Sequence, residues 1–170
     1  SRQMPYHRVQ VTTPLGQADC AVLKEVPVLG TVLRAGLALH QGLLNFFDGA
    51  DTAYISAYRK HRENGEFDIE LEYVSCPRLD SRILILSDPM LATGASLALT
   101  IKHLLVYGRP REIHLVCALA CTTGIGKVLA EQPDVNIWAA AIDPELDSNY
   151  YIVPGLGDAG DLAFGEKAQR

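Results

Sequence analysis

The chain predicts an α/β fold, a mostly parallel twisted sheet with helices on both faces. Three observations carry this reading. Short apolar runs of strand composition alternate along the 170 residues with segments whose apolar side chains recur at helix-face spacing. At 82–101, RILILSDPMLATGASLALTI, a buried-strand pattern passes through an acid and a turn of small residues into a helical pattern, the order found where open sheets bind ligands at their carboxyl edge. At 151–161, three glycines and a proline interrupt an apolar stretch, which fits a shaped loop better than a regular helix or a central strand.

The elements follow in order. Residues 1–24 stand outside the sheet as a peripheral segment, in which Val9 to Thr13, followed by Pro14, Leu15 and Gly16, read as an edge strand and turn. Residues 26–33 are a buried strand, and Leu39, Leu43, Phe46 and Phe47 mark the helix face of the first βα unit. Residues 52–59 and 67–74 alternate like strands around the charged, glycine-containing stretch 60–66, which predicts a protruding β-hairpin arm. Two more βα units occupy 82–87 with 97–107, and 112–120 with 124–131; Leu97, Ile101, Leu104 and Leu105 share one helix face. Residues 135–142 form the last core strand, leaving 144–170 as a C-terminal peripheral element.

Composition narrows the function classes. With 48% hydrophobic residues the chain can bury one core and is too short for two ordinary domains, so 1–170 is read as a single domain. A net charge of −5 argues against nucleic acid or an anionic membrane as partner, since those surfaces are met by a broad excess of Lys and Arg. No run reaches transmembrane length and the first twenty residues lack a signal-peptide pattern, so a cytoplasmic protein is expected. Cys20, Cys76, Cys117 and Cys121 include no C-x-x-C pair and read as free thiols. The five histidines have no metal-ligand spacing, and no zinc is expected.

Chemistry concentrates in the stretch after the 82–87 strand. Thr93, Gly94, Ala95 and Ser96 open a helix, where unpaired N–H groups and the positive dipole end favour an anion and small side chains let it come close. The turn is not a Walker A loop, because no Gly-Lys-Ser/Thr follows. Asp88, stiffened by Pro89, lies beside that anion and suits hydroxyl groups or a cation; a ribose 5-phosphate fits both ends. Arg34, with Ala35 and Gly36, follows the first strand at the same sheet edge, and Arg59 ends a strand beside the charged arm. Two guanidinium forks there suit a second anionic group. The 151–161 loop can lie over a flat heterocycle and present its own N–H and C=O groups in plane.

Taken together, VLRAG at 32–36, AYR at 57–59, DPMLATGAS at 88–96 and YIVPGLGDAGDLAFG at 151–165 resemble the uracil phosphoribosyltransferase family of the type I phosphoribosyltransferase fold, over about residues 26–167. That resemblance implies a soluble enzyme, expected to be a homodimer, that transfers the phosphoribosyl group of phosphoribosyl diphosphate to uracil with Mg²⁺, giving UMP and diphosphate. It implies that Asp88, Pro89, Met90, Leu91, Ala92, Thr93, Gly94, Ala95 and Ser96 hold the ribose phosphate. Arg34 and Arg59 would face the diphosphate, with Asp88 and Arg34 as catalytic residues. Ile152, Gly157, Asp158 and Ala159 would meet uracil in a hood built from 144–170, Asp158 also touching the donor.

Three departures from the family pattern stand out. Ala95 replaces a common second glycine and would be strained at positive φ; Thr122 and Thr123 replace a common Pro-Glu; and the chain starts later than usual, which bears on dimerisation and regulation. Transfer to another base, and a non-catalytic nucleotide-sensing regulator on the same fold, are the alternatives. GTP activation, found in some relatives, is left open.

Overall fold

The computed structural model describes residues 4–61 and 67–168, and the side chains in that span except those of 57–61 and 67–71. β1 (Tyr6–Thr13) and β2 (Gly16–Leu23) pair antiparallel as a two-stranded sheet of their own. The expected edge strand is therefore one arm of a hairpin. Most residues of both strands are exposed, with Leu15 wholly so at the tip, and the hairpin has no continuous apolar face to lay on the main sheet.

β3 (Val28–Leu33), α1 (Gly36–Leu44) and β4 (Asp51–His61) make the first parallel crossover, and β5 (Phe67–Ser75) returns antiparallel to β4. β6 (Ile83–Ser87) and the two-residue β7 (Met90–Leu91) lead into α2 (Ala95–Leu104), which tightens to a 3₁₀ turn at Leu105–Tyr107. β8 (Glu112–Cys121), α3 (Thr122–Glu131) and β9 (Val135–Asp143) follow, then β10 (Glu145–Leu146), β11 (Ile152–Val153) and α4 (Ala159–Phe164). The main sheet runs β5-β4-β3-β6-β8-β9, with β7 also on β8; of the pairings described within this sheet, β4–β5 alone is antiparallel.

Neighbouring residues of the central strands point to opposite faces, and this alternation makes two cores. Val28, Val32, Leu84 and Leu86 join Leu97, Ile101 and Leu104 of α2 and Val128 of α3. Leu29, Ile83 and Ile85 face the other way, toward Phe47 and the α1 residues Leu43 and Leu44. Helices thus cover both faces, as the apolar periodicity predicts. Phe46 departs from the expectation: α1 ends at Leu44, so Phe46 turns outward at 85% exposure while Phe47 is buried.

The arm is present as the β4–β5 pair, while its turn at 62–66 lies outside the described residues. The C-terminal stretch is more regular than a loop. Asp158 caps α4 by accepting the Asp161 N–H at 2.9 Å, and one closed turn suffices to start a short helix despite Gly160. No described helix is long and apolar enough to cross a membrane.

Leu86 is fully buried where β6 crosses the larger core. Leu86→Ala is expected to lower unfolding free energy by about 2–5 kcal/mol, measured by urea denaturation.

Candidate active site

The site begins where a strand is broken. β6 and β7 both pair with β8, yet Asp88 and Pro89 between them leave the regular ladder. The Asp88 N–H still donates to the Val116 carbonyl at 3.1 Å, and the Pro89 carbonyl accepts from the amides of Ala118 and Leu119 at 3.1 and 2.9 Å. Proline offers no N–H to the sheet at this point, so the break costs no donor. One carboxylate oxygen of Asp88 accepts the Met90 N–H at 3.2 Å. Burial pushes the carboxyl up to about 6, against the smaller downward pull of that N–H. Cys117 lies nearby, its thiol raised to about 12 by burial and then by the Asp88 charge.

The turn after β7 leaves a helix end open. Gly94 caps α2 in the left-handed region at φ 78°, no side chain caps the helix there, and its first turn contains no acid. The Thr93 hydroxyl accepts the Ala95 N–H at 3.4 Å. Only Gly94 needs positive φ. Ala95 is the first helical residue, so the strain expected from alanine there does not arise.

Glycine is also required at Gly94 by proximity, since a Cβ there would lie 2.5 Å from the Gly124 carbonyl oxygen. A Cβ on Gly124 would in turn lie 2.3 Å from the Ala92 carbonyl oxygen. The first turns of α2 and α3 therefore meet backbone to backbone. Thr122 and Thr123 open α3 with no acid in that turn.

Arg34 and the C-terminal segment form the other wall. Arg34 directly follows β3, parallel neighbour of β6, and so shares the carboxyl edge with Asp88. The Leu33–Arg34 and Val153–Pro154 peptide bonds are cis. Arg34 Nη2 donates to Asp161 Oδ1 at 2.6 Å and Nη1 to the Gly165 carbonyl at 3.2 Å. β11 pairs with β10, and Ile152 packs with Leu119 and Cys121. Asp147 accepts the amides of Asn149 and Tyr151, both at 2.8 Å, and Asp143 accepts that of Gly155 at 3.0 Å. These carboxylates hold the tight turns of the segment in one shape.

A single open cleft of about 1340 Å³ lies between the two walls. Arg34, Asp88, Met90, Ala92, Thr93, Gly94, Ser96, Ile152, Gly157, Asp158 and Ala159 line it, bringing together residues read from three distant parts of the sequence. Leu91 is fully buried in the core and Pro89 serves the strand break, so neither side chain lines the cleft, nor does Ala95. The Arg59 side chain lies outside the described residues. Sequence reasoning missed Ser56 and Glu72 at the base of the arm, Tyr150 and Tyr151 within the hood, and Asp161. Asp161 had one local signal, its spacing of three from the capping Asp158.

Comparisons with known proteins give the family and the fold. A family model described as uracil phosphoribosyltransferase matches residues 1–166. It takes in the N-terminal hairpin, which the resemblance at 26–167 had left out. A uracil phosphoribosyltransferase of Porphyromonas gingivalis is 49% identical over 168 residues, 98% of this chain and 78% of that protein. One from Thermococcus kodakarensis is 38% identical over 169 residues, 98% and 73% of the two chains. Among solved structures, the AQ2163 protein of Aquifex aeolicus has a TM-score of 0.86 at 28% identity, covering 98% of this chain and 79% of that one. A purine phosphoribosyltransferase of Pyrococcus horikoshii, at 17% identity and TM-score 0.51, covers 71% and 78% and bears on the fold alone.

Two outcomes test the site. With its carboxyl raised from 3.8 to about 6, folded Asp88 keeps a proton that the unfolded chain has lost, so its contribution to stability falls as pH rises through that window. Relative to wild type, Asp88→Asn should gain up to about 3 kcal/mol in unfolding free energy from about pH 4 to about pH 7, measured in urea. Gly124→Ala should push the Ala92–Gly94 turn outward and weaken inorganic phosphate binding by about tenfold or more in calorimetry.

Proposed function

The chain belongs to the uracil phosphoribosyltransferase family, and from that membership we propose the residue roles by which it transfers the phosphoribosyl group of phosphoribosyl diphosphate to uracil, giving UMP and diphosphate. The observation that carries the assignment is one cleft with a helix end free of any side-chain cap and a half-buried carboxylate on one wall and the glycine-rich segment on the other. The 5-phosphate sits on the amides of Ala92 to Ser96, where the dipole of α2 and the absence of acid in its first turn favour a dianion. Asp88 accepts the ribose hydroxyls. Arg34 and Arg59 take the diphosphate.

Breaking the anomeric carbon–oxygen bond develops positive charge on the sugar and negative charge on the departing diphosphate. Groups fixed before the reaction are worth most here, because they stabilise that separation without reorganising. Arg34 is kept at the edge of the cleft by its two hood partners. The Asp88 carboxylate, ionised above about pH 6, faces the electron-poor sugar.

Mg²⁺ fits the donor set as a substrate-borne ion. Among the described residues no cluster of three His, Cys, Asp or Glu side chains is placed to hold a metal, whereas Asp88 is a hard oxygen donor on the cleft. Mg²⁺ commonly keeps several waters and takes few protein ligands beside phosphate oxygens. When bound, it neutralises diphosphate charge; Asp88 is the residue that would hold it.

Residues 144–170 serve as the hood and 1–24 as a peripheral segment of one catalytic domain. Uracil lies against the main chain of Ile152 and of Gly157 to Ala159. Fixed backbone polarity sorts bases, because cytosine reverses the donor and acceptor at ring positions 3 and 4. Each reversed contact leaves a buried polar atom unpaired at about 1–3 kcal/mol. The reading includes a homodimer, for which the exposed Trp138 and Ile142 of edge strand β9 speak.

UMP formation from uracil, phosphoribosyl diphosphate and Mg²⁺ tests the assignment. Cytosine should turn over at least about tenfold less efficiently, and Asp88→Asn should lower kcat/KM by about a hundredfold. Comparable use of cytosine would sink the base assignment. Binding of the donor without product would point instead to a nucleotide sensor.

A further inference from the structure

Arg34 reaches the cleft with its charge already engaged. Of its five N–H donors, one on Nη2 meets Asp161 Oδ1 at 2.6 Å and one on Nη1 meets the Gly165 carbonyl at 3.2 Å, while Nε is buried without a partner. Asp161 stands in the first turn of α4, and the chain separation between the two charges is 127 residues. Both side chains keep about a third of their exposure, 35% and 32%, and of the two Arg34 lines the cleft.

We propose that Asp161 is a positioning residue that couples the base hood to the diphosphate end of the site, by sharing Arg34 between its own carboxylate and the leaving group. The inference rests on the assignment of Arg34 to the diphosphate. α4 has six residues, too short to persist without tertiary ties. Its ties to the first loop are this ion pair, the Gly165 carbonyl and the approach of Gly160 to Ala35.

A diphosphate brought to Arg34 offers several anionic oxygens to the same cation and competes with a single carboxylate. Holding the leaving group therefore loosens the hood, and holding the hood weakens the grip on the leaving group. The two ends of the cleft communicate through one guanidinium.

This exchange has a signature that general damage lacks. Asp161→Asn keeps an acceptor oxygen of the same size and removes the charge. Arg34 then meets pyrophosphate with its full charge, and the pyrophosphate inhibition constant should fall about fivefold. The hood loses its charge-assisted tie, and KM for uracil should rise about fivefold. Asp161→Glu restores the charge and should return both constants to within about twofold of wild type. Damage to the fold alone would raise both constants and lower the thermal midpoint.

Steady-state rates with uracil varied and pyrophosphate as inhibitor, for wild type, Asp161→Asn, Asp161→Glu and Arg34→Gln, decide the matter. Asp161→Ala replaces Asp161→Asn should the latter fold poorly, and the same opposite movement is expected. Opposite movement of the two constants supports the coupling. No movement, or movement in one direction, overturns it even if Arg34→Gln weakens pyrophosphate about tenfold, an outcome that leaves the arginine assignment standing. Unchanged pyrophosphate inhibition in Arg34→Gln removes that assignment and the proposal with it.

Discussion

Everything at the carboxyl edge depends on the interruption of one strand line. β6 and β7 share a partner, and a continuous strand would have committed residues 88 and 89 to the ladder on both sides. Because proline has no amide hydrogen, the line opens at Asp88 and Pro89, and β8 supplies compensating bonds to the freed groups. A carboxylate can then stand at the sheet edge, with the helix-opening turn beside it instead of above a closed surface. The interruption is affordable because the flanking residues are among the most deeply buried in the molecule, Leu86 on one side and Leu91 on the other.

The second constraint is proximity of backbones. Gly94 and Gly124 bring the starts of α2 and α3 into contact closer than any side chain allows. Such a surface presents amides, whose positions depend little on side chains but shift when a Cβ is added. Electrostatics complete the arrangement unevenly. The open helix end has no acid of its own, whereas the arginine across the cleft has a carboxylate partner. One wall of the cleft thus offers backbone amides with no charge beside them, and the other a guanidinium already paired with a carboxylate.

Much of this was legible in the chain. A central strand such as ILILS is buried at every position and apolar at all but its last, Ser87, because both sheet faces are covered, and an acid followed by small residues can be read as a turn from composition alone. What was not legible came from contacts between distant segments. Nothing near Arg34 signals Asp161, and the cleft residues Ser56 and Glu72 reach the site only because β4 lies next to β3 and β5 next to β4. The N-terminal hairpin was half seen, because its second strand shares the first one's polar, exposed character and lacks an apolar stripe. α4 was hidden by its glycine content, which lowers helix propensity, although the Asp158 cap outweighs it locally.

Cys117 adds a consequence for the redox behaviour of the molecule. Its sulfur lies within electrostatic reach of the carboxylate at the strand break and keeps its proton far above neutrality, at about 12. Thiolate, not thiol, reacts with peroxides and alkylating agents. The Cys117 sulfur, buried beside the strand break, is therefore a poor target for oxidants that act on an activated cysteine.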